Sequence, residues 1–223
     1  MTPLFVVGTI IAFLIVDWIV QARKATKQAL AAAPVRSLQS QTFSLRTPEG
    51  IFFAKSHTWL SLFPSGKVRL GIDDFVANLL ERAEVTLVKN QGDHVQKGEP
   101  LLVLAENGQA LTVRAPISGD VVAVNEKLEE TPGLKHADLF GEGWAYTMQP
   151  SRPEELRGLL LGNESRSWMS EELRRLRDFF AGAIANGVPA PALQDGGAPA
   201  PGALLHLGPD VWKRFEQQFL QAE

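Results

Sequence analysis

The residues able to do chemistry are few and scattered. Four histidines, His57, His94, His136 and His206, show no i,i+4 pairing and no carboxylates at metal-ligand spacing. His57 is expected to serve packing or hydrogen bonding. The absence of cysteine (Cys 0) removes disulfides, thiolate zinc sites, iron–sulfur ligation and a cysteine nucleophile together. Asp73-Asp74 precedes a short helical pattern, where adjacent carboxylates act as an N-cap and a first-turn charge. Glu126, Glu129 and Glu130 are expected to form a solvated acidic patch. Gly141-Glu142-Gly143 lacks the third glycine and the strand-to-helix setting of a dinucleotide loop, so it predicts a turn. No Walker lysine, nucleophile elbow or histidine metal motif is present. A net charge of −3 carries no nucleic-acid footprint. These residues predict no catalytic site, no metal and no enzyme.

The elements that must position these residues are mostly strands. A chain of 223 residues allows one compact domain with extensions, or at most two small domains. Between Thr42 and Met148, short β-branched segments alternate with turn dipeptides, the pattern of sandwiches and small barrels. Strands are expected at Gly50–Ala54, Trp59–Phe63, Lys67–Gly71, Glu84–Val88, Leu101–Ala105, Ala110–Ala115, Gly119–Val124 and Trp144–Met148. Pro64-Ser65-Gly66 and Asn90-Gln91-Gly92-Asp93 make turns. Phe75, Leu79 and Leu80 at helical spacing predict a short helix over Asp73 to Arg82. The sharpest local signal is Asn107-Gly108 between two strand-like runs. A type I′ turn needs positive φ at both central residues, which Asn and Gly adopt cheaply.

Several runs then occur together: Ser56-His57-Thr58-Trp59, Gly71-Ile72-Asp73-Asp74-Phe75, Asp93-His94-Val95-Gln96-Lys97-Gly98, Ala115-Pro116-Ile117-Ser118-Gly119-Asp120-Val121, Val124-Asn125-Glu126 and Gly141-Glu142-Gly143-Trp144. In order and spacing they resemble the glycine cleavage system H protein family, a lipoyl-carrier fold, over roughly Phe52 to Leu161. The resemblance implies a flattened β-barrel or barrel-sandwich hybrid with short helices. It also implies a lipoylated lysine at a hairpin tip, in a pattern Glu-Ser-Val-Lys-Ala about eight residues before a Pro-Val-Ser-Gly turn. Counting back from Pro116, that position falls on Gly108, between Asn107 and Gln109, and no lysine lies between Lys97 and Lys127. Glycine offers no atom for an amide-linked arm. The expectation is a degenerate member of the family with no cofactor-binding residue.

The ends of the chain add contact elements. Leu4 to Val20 is almost wholly apolar and predicts a single transmembrane helix. Asp17 and Trp18 fall near its interface, and Arg23, Lys24 and Lys27 follow it, which puts the C-terminal side in the cytoplasm by the positive-inside rule. A tether rich in Ala, Ser and Gln runs to Gln41, broken by Pro34. After Pro150 the pattern turns helical: one helix capped at Ser151 and running towards Leu161, a second opening at Ser170 with Leu173, Leu176, Phe179, Phe180 and Ile184 on one face. Val188 to Gly202 reads as a Pro/Ala/Gly linker. Beyond it, Val211, Trp212, Phe215 and Phe219 form an apolar stripe on a short helix opened by Pro209.

Such a helix suits docking to a partner, folding back on its own domain, or lying on the membrane. Docking is the leading expectation, with Trp212, Phe215 and Phe219 as anchors whose loss would weaken partner binding and leave the domain folded. The expected plan is therefore an anchor (1–24), a tether (25–41), a β domain (42–163), a helical extension (164–187), a linker (188–208) and a terminal helix (209–223). The expected role is a non-lipoylated scaffold or accessory subunit of a larger complex at the cytoplasmic face of the inner membrane, with membrane lipid and other subunits as partners. The rivals are a working lipoyl and aminomethyl carrier in glycine cleavage, and an accessory subunit of a respiratory or electron-transfer complex.

Overall fold

The structure, a computed structural model, describes Phe43 and residues 45–130, 138–185 and 199–221. The chain divides into two units, Met1–Gln41 and Thr42–Glu223, and every described element belongs to the second. The expected anchor with Asp17, Trp18, Arg23 and Lys24, the tether, His136 and most of the expected linker lie outside the described residues. Among the described residues no helix is long and apolar enough to cross a membrane.

Two antiparallel sheets form the body. The strands are β1 (Ile51–Ala54), β2 (Thr58–Leu62), β3 (Val68–Ile72), β4 (Glu84–Leu87), β5 (His94–Val95), β6 (Pro100–Glu106), β7 (Gln109–Arg114), β8 (Gly119–Val124) and β9 (Tyr146–Pro150). One sheet runs β1-β2-β3-β9-β8-β5, the other β4-β6-β7. The alternation of side chains about the pleat lines up core rows across strands. Leu60 faces Leu70 and Leu70 faces Tyr146; Val68 faces Met148 and Met148 faces Val121. All six are buried. Tyr146 ties the sheets together: its hydroxyl donates to the Leu101 carbonyl of β6 at 2.7 Å and accepts from Lys89 N at 3.1 Å.

The fold is mainly β with short helices, as the spacing predicts, and each expected strand is present within two residues. β9 begins later than expected; the Trp144 carbonyl accepts from the Asn125 side chain, Nδ2 at 2.7 Å, and the Trp144 ring lies over the Arg69 guanidinium at 4.8 Å. The two-residue β5, paired with β8, is too short to show a period. Helix α1 (Asp74–Leu79) is capped by Asp73, whose Oδ1 accepts from Phe75 N and Val76 N. Helix α2 (Lys127–Glu130) follows β8. Gly119 opens β8 where it passes β9 so closely that a Cβ would collide with the Gln149 carbonyl oxygen.

The C-terminal third departs from expectation. The helix expected from Ser151 is a 3₁₀ helix, Pro153–Gly158, without a side-chain cap. It stops because Leu160 is drawn into pairing with Phe53, through N–H···O bonds of 2.9 and 2.8 Å. Glu155, in the first turn of this 3₁₀ helix, accepts from Ser118 N and Oγ and braces the turn before β8. Helix α3 (Asn163–Ala185) starts before Ser170 and buries Met169, Glu172, Leu176 and Phe180. The last part of the expected linker contains a 3₁₀ helix, Ala203–His206, that buries Ala203 and Leu204.

Helix α4 (Pro209–Phe215) and a π-helical turn (Glu216–Leu220) then return to the body. This corrects the docking expectation. Trp212 is 2% exposed, Phe215 0% and Phe219 1%. The Trp212 indole N–H donates to the Leu204 carbonyl at 2.8 Å. Phe215 sits among Phe75, Phe179 and Phe219, at ring-centroid distances of 6.3, 6.1 and 4.9 Å. An aromatic stripe lowers free energy against whichever apolar face it meets first, and here that face is its own domain.

Candidate functional site at the hairpin tip

The β6–β7 hairpin closes through Glu106 and Gln109, so Asn107 and Gly108 alone form its tip. Their φ angles are +51° and +75°, the pair of left-handed residues a type I′ turn requires. A Cβ at Gly108 would meet nothing within 4 Å, so the tip faces open space. That geometry would suit a swinging arm. The chemistry does not, because an amide-linked arm needs an amine and Asn107, Gly108 and Gln109 have none to acylate. Lys97 lies between β5 and β6, and Lys127 opens α2, so neither belongs to this hairpin. The tip and a lipoyl group do not fit.

The hairpin is held firmly on both flanks. Glu106 accepts from Glu81 N and Arg82 N at 2.8 and 2.6 Å, fastening the tip to the segment after α1. On the other side β7 is the edge strand of its sheet, and the Glu216 carboxylate accepts from Thr112 N at 3.2 Å. An open strand edge invites pairing with other chains, and here the C-terminal helical turn covers it. A cleft of about 280 Å³ remains between the hairpin and this helix, lined by Gln109, Ala110, Trp212, Lys213 and Glu216 among others. Sequence reasoning did not connect the C-terminal helix with the tip.

A second cluster is buried beneath α1 and α3. His57 Nδ1 lies 2.8 Å from Asp73 Oδ2, and His57 Nε2 lies 3.8 Å from Glu172 Oε2. Burial alone would lower the imidazole pKa; the Asp73 carboxylate and then Glu172 oppose it and leave it above the ordinary 6.5. Burial would raise Glu172, but the bond and charge of His57, with Arg175, hold it below the ordinary 4.5. The hydrogen-bonding role expected of His57 is present, while its Glu172 partner was not foreseen.

Among the other singled-out residues, Gly141 N and Gly143 N both donate to the Asp138 carbonyl, making the expected turn. Glu129 is not simply solvated charge, since it accepts from Leu87 N at 2.9 Å on the edge strand β4. His94 pairs with Asp120 at the surface, and His206 ends the second 3₁₀ helix. Among the described residues no three His, Asp or Glu side chains are grouped to hold a metal ion.

Comparison with known proteins gives a consistent result. A family model described as glycine cleavage H-protein matches residues 51–172, more than half of the chain. The glycine cleavage system H protein of Shewanella frigidimarina is 34% identical over 125 residues, covering 56% of this chain and 97% of the relative. That of Psychrobacter cryohalolentis is 34% identical over 117 residues, covering 52% and 93%. A crystal structure of a glycine cleavage system H protein from Mycobacterium marinum aligns with a TM-score of 0.42 at 28% identity, over 47% of this chain and 86% of that one. The match takes in β1 through the first half of α3, so the chain belongs to the glycine cleavage H-protein family.

Proposed function

We propose that this chain is a non-lipoylated family member that serves as a membrane-anchored scaffold or accessory subunit in a larger complex, and is not itself an enzyme. The observation that carries this reading is the hairpin tip, where Asn107 and Gly108 replace any side-chain amine. An arm that must be acylated onto lysine has no attachment atom there, so the carrier cycle cannot run through this hairpin. The apolar run Leu4–Val20 followed by Arg23, Lys24 and Lys27 supports an anchor with the domain on the cytoplasmic side. The names of the curated relatives favour the other reading, a lipoyl and aminomethyl carrier in glycine cleavage.

Intact mass of the chain purified from its native membrane separates the two. An unmodified mass, with other polypeptides in the same preparation, is the expected result. A lipoyl-sized increment would overturn the scaffold reading and direct attention to Lys97 and Lys127.

Gly108→Lys adds a sharper arm to the same experiment. The tip has room for the side chain, and its positive φ costs a non-glycine residue about 1–2 kcal/mol. Incubated with a lipoate ligase, lipoate and ATP, the variant should gain one lipoyl increment and the natural chain none. An increment on both would show that the natural chain carries an acceptor elsewhere.

A further inference from the structure

We propose that Asp73, His57, Glu172 and Arg175 form a protonation latch that clasps α3 and the C-terminal helical turn onto the β body, and that loss of the His57 proton opens it. The inference does not depend on the scaffold reading, since it concerns how the C-terminal third is held.

The geometry is that of an imidazolium site. His57 is fully buried, and its left-handed φ of +59° is strained for a residue with a Cβ, the kind of strain found at constrained sites. Its ring stacks on Phe75 at 3.9 Å with 6° between planes, and Trp168 of α3 closes another side at 5.1 Å. Nδ1 is committed to Asp73, whose second oxygen caps α1. Nε2 faces Glu172 Oε2 at 3.8 Å, and neither atom has another partner. With both ring nitrogens protonated, a cation lies between two carboxylates. With Nε2 deprotonated, its lone pair would face a buried anion that keeps only Arg175.

The rest of the chain of contacts explains what would move. Arg175 pairs with Glu172 through the carboxylate's other oxygen and donates to the Gln218 carbonyl at 3.1 Å. It also lies over the Phe219 ring at 5.1 Å. The charged groups facing His57 are thus Asp73 from the α1 cap and Glu172 from α3, backed by Arg175; the C-terminal turn presents the Phe219 ring. The His57 contribution is complete below 6.5, its ordinary value, and is lost as pH rises through its raised folded value. The Glu172 contribution is complete above 4.5 and is lost as pH falls through its lowered value. The latch therefore opens on the alkaline side, uncovering the β7 edge and the Trp212, Phe215 and Phe219 stripe.

The test uses the full chain in detergent micelles, with ring-nitrogen NMR of His57 and hydrogen exchange corrected for intrinsic pH dependence. We expect His57 to hold both ring protons at neutral pH. Above its midpoint, exchange in 163–185 and 209–220 should rise by up to roughly tenfold per pH unit while β2, β3 and β9 stay protected. Glu172→Gln should lower the His57 midpoint and the opening pH together. The proposal is overturned if His57 in the natural chain titrates at or below the ordinary histidine range, or if both segments keep their protection across its titration. It is equally overturned if Glu172→Gln folds and opens at the unchanged pH. Should that variant not fold, the titration of the natural chain decides alone.

Discussion

Phe215→Ala should destabilise the Thr42–Glu223 unit by about 3–5 kcal/mol, the usual cost of truncating a buried aromatic. For a unit of this size that corresponds to a fall in Tm of roughly 10 °C. The side chain is wholly enclosed, packed on Phe75 from the β body, Phe179 from α3 and Phe219 from its own turn, so its removal leaves a cavity shared by three elements. Thermal and urea unfolding of the full chain in detergent measure it. Were Phe215 a docking anchor, the variant would lose partners at unchanged stability; an unchanged unfolding midpoint would therefore overturn the core assignment.

Gly119→Ala should cost on the order of 3 kcal/mol, because the added Cβ overpacks a backbone crossing that no side-chain rotation can relieve. The colliding atoms belong to Gln149 and Pro150, on the strand paired with β8. Gly108→Ala provides the control. It faces open space and bears only the positive-φ cost of about 1–2 kcal/mol, with the fold and the hairpin register retained. Urea midpoints of the two variants should differ clearly, with Gly119→Ala the lower. Equal midpoints would mean that β8 can move away from β9, contrary to the close Gly119–Pro150 approach.

Local signals carried well from sequence to structure. The Asn107-Gly108 tip followed from backbone conformation alone, because few residue pairs accept two successive positive φ values at low cost. The Asp73 cap followed from a carboxylate placed before a helical period. The strands of the β body other than β5 followed from alternation and turn chemistry. Errors gathered where a local pattern met a distant competitor. The helix expected from Ser151 shrank to a 3₁₀ segment because Leu160 pairs with Phe53 and Glu155 bonds Ser118, and neither partner is near in sequence. The start of α3 was missed because Asn163–Ser167 is polar, and polar residues carry no hydrophobic period.

By itself, the sequence determined the β character of the described residues between Phe43 and Met148, the tight hairpin and the absence of an amine at its tip. Each depends on residue type and short-range spacing, so no partner had to be known. Only the tertiary structure decided where the C-terminal aromatics go and what His57 faces. An amphipathic stripe records that a face must leave water, yet hydrophobic attraction has no direction and does not name the surface that covers it. The surroundings of a buried histidine are likewise set by folding, and Asp73 and Glu172 meet across its ring only once α3 has packed on the β body.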